Sequence, residues 1–520
     1  MSWEPEIDEL EQRKALAGQM GGPERVERQH KAGRLTVRER IESLVDRGSF
    51  REIGSIAGKA QYDAEGPLTG FTPANCVFGR GKVMRRPVIV SGDDFTVAGG
   101  SADAAIWDKF KMAEIMAREY RMPLIRLVEG SGGGGSVRSI EKTGFANLPG
   151  GLGGQSGGLH LCCATLAAVP VIGLALGPVA GLGAARVSLS HLSIMIRGKA
   201  QVFVAGPPVV EKLGEKRTKE ELGGHAIQLA AGTIDMAADD EEEAFALTRT
   251  FLSYLPNSVW ELPPRGPCRD SPNRTCEDFA SIVPRDPRHA YLMRRVIERV
   301  VDRGSFFEIG QAFGRSVITG LARLDGWPVA LMAGDPLHSG GAWTAASAQK
   351  IMRFVDLAET FHLPVVHLVD CPGFVVGLEA EKAGTMRHAV RALAAIHQST
   401  VPWCSVLIRN VYGVGGGAHQ PQTHHVMRFA WPSGRWGSLP MEGGIEAAYR
   451  AELAEAEDPD ARRAEITARL ERLRSPFRTA EAFGVEEIID PRYTRQLLCE
   501  FADMAAPLRK AGETRFPMRP

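Results

Sequence analysis

No two of the eight cysteines, at positions 76, 162, 163, 268, 276, 371, 404 and 499, stand in a CxxC spacing. A zinc ribbon is therefore excluded, and the spacing forms no disulfide framework. That usage fits a reduced compartment, the cytoplasm or a mitochondrial matrix. Charge of one sign is also missing. Lys plus Arg number 62 and Asp plus Glu number 62, so the formal net charge is 62 − 62 = 0. The electrostatic ground for nucleic acid or an anionic membrane as the main partner falls away. No Walker A sequence is present: Gly81-Lys82 and Gly198-Lys199 lack a glycine five residues before. The opening MSWEPEIDELEQRK is acidic, unlike a signal peptide. Residues 161–185 carry no charge, but Pro170, Pro178 and glycines 173, 177, 181 and 183 interrupt them. They predict a buried strand and a tight turn rather than a membrane span.

What is present is an ordinary globular balance, 44% hydrophobic and 24% charged, which excludes disorder along the whole length. The 520 residues predict three to four domains, or two large ones. Glycine is abundant, 58 residues, and clusters at 130–135, 150–158, 177–183 and 413–417. The clusters follow apolar runs, which favours close approach of backbone to a neighbour over simple loop flexibility.

An internal repeat organises the chain. DRGSFREIG at 46–54 recurs as DRGSFFEIG at 302–310, an offset of 256. Gly99-Gly100, Lys109 and Pro123 recur as Gly340-Gly341, Lys350 and Pro364, an offset of 241. Val169-Pro170 recurs as Val401-Pro402, an offset of 232, and at that offset AGLGA (180–184) faces YGVGG (412–416). Shrinking offsets are what insertions and deletions between fixed elements produce. Seven prolines in 256–287 mark an extended seam. Two domains of one fold are expected, 1–265 and 266–520. In each copy, short apolar runs (86–94, 123–130, 169–177; 327–334, 363–370, 401–409) alternate with helical spacing (104–120; 345–361). That predicts an α/β fold with a largely parallel sheet and ligands at the carboxyl ends of strands.

The strongest candidate chemistry is the pair Gly181-Leu182-Gly183 and Gly413-Val414-Gly415, each after a strand-like run. Backbone N–H groups at such turns can converge as an oxyanion hole. The alternative is that glycine only lets a helix pack closely on the sheet. GQSGG at 154–158 fits a nucleophile elbow with Ser156, but the preceding Gly/Pro-rich stretch is not the strand that motif needs. His419, His424 and His425 lack the HExxH spacing, so the cluster reads as a polar loop or a helix start, and no metal is predicted. DDEEEA at 239–244 reads as the acidic first turn of a helix, and 450–474 as a charged helix pair, solvated or facing a partner.

Several segments, taken in order, resemble the carboxyltransferase (beta) subunits of biotin-dependent acyl-CoA carboxylases, of the propionyl-CoA and methylcrotonyl-CoA type. They are RLTVRERIESLVDRGSF (34–50), DDFTVAGGSADAAIWDK (93–109), FVAGPPVVEKLGEKRTKEELGG (203–224), DCPGFVVG (370–377), GTMRHA (384–389), STVPWCSVLIRNVYG (399–413), AWP (430–432) and GVEEIIDPRYTRQLL (484–498). The resemblance implies two tandem crotonase-like domains of the ClpP/crotonase superfamily. It implies acyl-CoA on the N-terminal half, biotin on the C-terminal half, and an active site shared between subunits of a hexamer in an alpha6beta6-type complex. Biotin comes on a biotin carboxylase/carrier (alpha) partner, because neither an AMKM-like lysine nor an ATP-binding signature is present here.

By the same resemblance, amides around Gly181, Leu182 and Gly183 hold the thioester enolate. Amides around Gly413, Val414, Gly415 and Gly416 hold the ureido oxygen of biotin. Phe374, after Pro372 and Gly373, walls the biotin pocket, with Gly417 beside it. Lys109 matches a family lysine that places CoA, with a structural salt bridge as the equal alternative. Gly132, Gly133 and Gly134 belong to the loop expected at acyl-CoA. Leu182 interrupts the usual AGGA, SGGGGSVR (131–138) replaces SGGAR, and Gly417 stands where propionyl-type enzymes carry Asp, so propionyl-CoA is not assumed. The alternatives are a biotin-dependent decarboxylase or transcarboxylase component, a non-catalytic scaffold of such a complex, and a Ser156 hydrolase.

Overall fold

The computed structural model describes residues 2–100, 106–130, 140–141, 144–146 and 158–520. It divides into two compact units, Met1–Glu261 (with Pro520) and Leu262–Arg519. The division falls inside the proline-rich seam, where 262–276 carry neither helix nor strand.

In the first unit, strands β1 (Arg51–Ile53), β2 (Gly58–Tyr62), β3 (Leu68–Pro73), β4 (Cys76–Val83), β5 (Arg86–Asp93), β6 (Leu124–Gly130), β7 (Val171–Ala180), β8 (Leu192–Ile196), β9 (Gln201–Phe203) and β10 (Met236–Ala238) are present. The main sheet runs β1-β4-β5-β6-β7-β8-β10, with β9 also on β7, and β2–β3 form a separate hairpin. The edge pairs β1–β4 and β4–β5 are antiparallel, and the other pairs of this sheet are parallel. Helices α1 (Val37–Leu44), α2 (Trp107–Glu119), α3 (Leu159–Leu166), α4 (Leu182–Ser188) and α5 (Glu241–Tyr254) are among those that flank it.

Local chemistry accounts for these elements. Every residue of β6 is buried, as a parallel strand covered on both faces requires. Its Arg126 is neutralised by Glu114 of α2 at 2.8 Å. Helix α1 opens on a capping box between Thr36 and Glu39, and α5 on Asp240, which accepts from the Glu243 N–H. Residues 161–185 differ from expectation in one respect. Their first part continues α3, and the strand starts only after Pro170, because an uncharged apolar run is compatible with either buried element.

The second unit repeats the plan with β11 (Phe307–Glu308), β12 (Val317–Leu324), β13 (Trp327–Gly334), β14 (Val365–Cys371), β15 (Trp403–Tyr412), β16 (Met427–Ala430), β17 (Arg435–Gly437) and β18 (Glu487–Ile488). The sheet order is β11-β12-β13-β14-β15-β16-β18, with β17 also on β15. Its helices include α6 (Met293–Val300), α7 (Ala345–Thr360), α8 (Thr385–Gln398) and α9 (Gly413–Gly417), and the charged segment forms α10 (Arg450–Glu455) and α11 (Pro459–Leu473). Duplication reaches individual contacts. Arg38 pairs with Glu52 at 2.8 Å, and Arg294 with Glu308 at 2.7 Å, both at the 256 offset. Gly100 and Gly341 both have positive φ, and a Cβ on either would strike the carbonyl oxygen of Glu129 (2.6 Å) or Asp370 (2.3 Å).

Candidate active site

The first glycine turn begins where β7 ends, with Ala180 paired to Phe203 of β9. Gly181 has φ 58° and ψ −118°, which a residue with a Cβ adopts only under strain. Its N–H donates to the Phe203 carbonyl at 3.2 Å, so Gly181 shapes the turn and its amide is already engaged. Helix α4 starts at once, and the Ala185 N–H donates to the Gly181 carbonyl at 3.0 Å. The amides of Leu182, Gly183 and Ala184 therefore precede the first intrahelical bond and lack an i−4 acceptor in the helix. Gly183 permits close packing, since a Cβ there would lie 2.8 Å from Val179 Cγ1. Below the turn, Arg186 of α4 is buried on Asp93 at 3.1 Å with its guanidinium 4.6 Å from the centre of the Phe110 ring. Burial, the largest single effect, opposes that charge, but Asp93 together with the nearby Cys162 and Cys76 raises the Arg186 pKa.

The second turn begins where β15 ends, with Tyr412 paired to Gly437 of β17. Gly413 has φ 60°, matching Gly181 at the 232 offset. Helix α9 lasts five residues. Here Val414 and Gly415 correspond to Leu182 and Gly183. Val414 is 59% exposed, whereas Gly415 is covered by Phe374, whose ring atoms would be 3.0 Å from a Cβ at 415. A Cβ at Gly416 would meet the Val411 carbonyl carbon at 2.5 Å, whereas Gly417 is exposed and faces open space.

Phe374 is fixed by its backbone. Gly373, at φ 118°, accepts from the Trp343 N–H at 2.9 Å, and the Val375 N–H donates to the Trp343 carbonyl at 2.9 Å. The Trp343 and Phe374 rings stack with centroids 5.9 Å apart. The structure thus brings Pro372, Gly373 and Phe374 together with Gly413–Gly416.

Ionisable groups near the turns are occupied or silenced. Asp370, at the end of β14, accepts from Tyr291, Arg409 and the Asn410 backbone and side chain. Burial pushes the Cys371 thiol up to about 12, and those of Cys76 and Cys162 to about 12 and 11, which removes each as a thiolate nucleophile near neutral pH.

Lys109, for which a CoA contact and a structural salt bridge were equal expectations, lies on the inner side of its helix. Its Nζ is turned into the fold, donating to the Gly54 carbonyl at 3.0 Å and lying 3.7 Å from Glu52, with the residue only 7% exposed. Lys350 repeats this on the Phe313 carbonyl at 2.9 Å. Both lysines hold the turn after a DRGSFxEIG segment, a geometry that suits a structural clamp. Gly132, Gly133, Gly134 and Ser156 lie outside the described residues. Among the described residues no cluster of His, Cys, Asp and Glu could hold a metal ion, and no helix is long and apolar enough to cross a membrane. Two residues at the second turn were not assigned to it from the sequence. Trp343 is one. The other is His419, whose Nδ1–H donates to the Gly416 carbonyl at 2.8 Å. Its position just past the strand-end glycines was the available signal.

The carboxyl transferase domain family matches residues 28–515. The chain belongs to that family. It is 32% identical to the propionyl-CoA carboxylase carboxyltransferase subunit of Haloferax mediterranei, over 98% of each chain. It is also 32% identical to the methylmalonyl-CoA carboxyltransferase 12S subunit of Propionibacterium freudenreichii subsp. shermanii, over 98% of this chain and 95% of that one. A crystal structure of transcarboxylase 12S, a hexamer assembly with methylmalonyl-coenzyme A and methylmalonic acid bound, superposes with a TM-score of 0.87 at 28% identity over 99% of each chain. The two α/β units are tandem crotonase-like domains, and the chain is a carboxyltransferase of the acyl-CoA carboxylase and transcarboxylase type.

Proposed function

We propose that this chain moves CO2 from carboxybiotin, carried on a separate biotin carboxylase/carrier subunit, to the enolate of an acyl-CoA. The observation that carries the reading is the duplicated turn. At the same place in two repeated sheets, a glycine of φ 58° or 60° opens a helix and leaves the next amides ahead of the helical hydrogen bonds. A reaction that develops negative charge on two oxygens needs two such cradles and no side-chain base. The thioester oxygen sits on Leu182 and Gly183 in the first unit, where acyl-CoA binds. The ureido oxygen of biotin sits on Val414 and Gly415 in the second.

The residues at the second turn fit a ureido ring. Phe374 offers an apolar wall, the amides offer neutral donors, and the nearby carboxylate of Asp370 is fully engaged. When bound, carboxybiotin would release CO2 by cleavage of its N–C bond, and the ureido nitrogen freed by that cleavage would accept the proton of the acyl carbon, whose enolate takes up the CO2. The chain supplies the rest: Gly181 and Gly413 set the turns, Phe374 and Gly373 exclude water from one side, and each aligned amide contributes about 10²–10³ in rate. The assembly is a hexamer, with each site made by the first unit of one subunit and the second unit of another.

The deciding experiment supplies the purified chain with its biotinylated partner, ATP, radiolabelled bicarbonate and a panel of acyl-CoAs (acetyl, propionyl, butyryl, 3-methylcrotonyl and long-chain). Label in an acyl-CoA product, dependent on both partner and ATP, supports the reading; none with any acyl-CoA overturns it. The likeness to transcarboxylase 12S favours a second reading, exchange of the carboxyl group between two CoA esters. Label passing from a carboxylated CoA ester to another acyl-CoA without ATP supports that direction.

A further inference from the structure

The second turn is made of residues poorly suited to hold a helix. Glycine occupies four of the five positions of α9, at 413, 415, 416 and 417, and only proline is a poorer helix former. The first turn is held by its own helix: α4 runs seven residues and anchors itself through Arg186 on Asp93. Helix α9 stops instead, with the Ala418 N–H donating to the Val414 and Gly415 carbonyls at 3.1 and 3.3 Å. The next carbonyl, Gly416, is one of the acceptors that a helix end leaves without a backbone partner.

His419 takes it. A carbonyl can only accept, so the Nδ1 that lies 2.8 Å away carries the proton. The residue is itself pinned. Its backbone carbonyl receives His367 Nδ1 at 3.0 Å, Trp403 Nε1 at 2.9 Å and Ser405 Oγ at 2.7 Å, three donors from β14 and β15. The ring is buried, and among the described residues its Nε2 has no hydrogen-bond partner. An unsatisfied buried nitrogen is unfavourable, and an apolar side chain would avoid it. What Nδ1 does therefore accounts for an imidazole at this place.

We propose that His419 is a positioning residue for the second turn: by holding the Gly416 carbonyl it locks a glycine-rich backbone, so that the Val414 and Gly415 amides meet the ureido oxygen in one fixed geometry. This rests on the biotin-side reading of that turn. The neutral ring suits the task, since burial holds the His419 pKa down to about 4.

The test uses the full chain with free D-biotin as acceptor and methylmalonyl-CoA, malonyl-CoA and the carboxylated form of the preferred acyl-CoA as donors. Biotin-dependent release of the carboxyl group is measured while each substrate is varied. Three proteins are compared: wild type, His419→Leu, which removes the donor at similar size, and His419→Asn, whose amide stands where Nδ1 stood. The expected result is a fall in kcat/KM for biotin on the order of 10-fold or more in His419→Leu, an unchanged KM for the CoA ester, and recovery of most of the loss in His419→Asn. A leucine variant equal to wild type overturns the proposal. So does an asparagine variant as impaired as leucine, or parallel changes for biotin and CoA ester. If the leucine variant does not fold, His419→Gln, whose amide is displaced by one carbon, replaces it on the same criteria. No biotin-dependent turnover by the wild-type chain overturns the biotin-side reading and this inference together, whereas wild-type turnover with an unimpaired leucine variant overturns this inference alone.

Discussion

Gly181 combines a positive φ with an extended ψ, and its amide is bonded to Phe203. Gly181→Ala therefore acts through strain, about 1–3 kcal/mol, and through displacement of the Leu182 and Gly183 amides. The expected outcome is a carboxylation rate lowered about 10²-fold with a small drop in melting temperature; an undiminished rate removes the first turn from the reaction. A pH prediction belongs to His367 and His419, whose burial lowers their pKa to about 3 and about 4. Arg428 also lowers the His419 value, and Glu486 opposes it. Near pH 5 the unfolded chain binds protons at these two sites, with an ordinary pKa of about 6.5, while the folded chain does not. Their contribution is thus complete above about pH 6.5 and is lost as pH falls toward 4, by up to about 2.7 kcal/mol per pH unit for the pair. Melting curves between pH 7.5 and 5 test this, and His367→Phe should flatten the dependence. The two turns were legible residue by residue because a glycine at positive φ leaves a mark in the sequence. His419 was not, because the direction of a ring cannot be read from its spacing, and AHQPQTHH reads as a polar loop or a helix start without showing which carbonyl a ring reaches.

At the scale of elements, α2 and α7 each direct one lysine inward onto the turn that comes after a DRGSFxEIG segment. Lys109 and Lys350 are one device used twice. Lys109→Met and Lys350→Met should each cost about 1–3 kcal/mol, the usual loss when a buried hydrogen-bonding group loses its partner. Matched falls in melting temperature with an unchanged KM for acyl-CoA are expected. A raised KM in Lys109→Met alone would assign that side chain to the CoA site. The strands and both long helices were legible because buried parallel strands read as apolar runs and amphipathic helices keep their period. Helix α3 was missed because LHLCCATL carries no polar face to reveal a helical period. Lys109 was ambiguous for a related reason: a helix pattern shows which face is apolar but not whether a long cationic side chain snorkels out or reaches a buried carbonyl.

At the scale of the molecule, exposed apolar side chains stand beside both turns. Val204 is 92% exposed, and its carbonyl lies 3.9 Å from where a Gly181 Cβ would be; Val376, two residues after Phe374, is 87% exposed. The proposed hexamer would give such side chains a neighbouring copy to pack against. Light scattering should then give 6 × 56.3 ≈ 338 kDa rather than 56.3 kDa. A sharper consequence concerns where each site is built. Gly181→Ala impairs the first turn and Gly413→Ala the second, so neither variant alone has a complete site. If each site joins the first unit of one subunit to the second unit of another, random co-assembly leaves both halves intact with probability ½ × ½, and about one quarter of wild-type activity returns in the mixed hexamer. If each site lies within one chain, no mixture contains an intact one and activity stays at the level of the single variants. Co-expression of the two variants with separate affinity tags, followed by tandem purification and the labelled-bicarbonate assay, distinguishes the two arrangements without any structure of the complex.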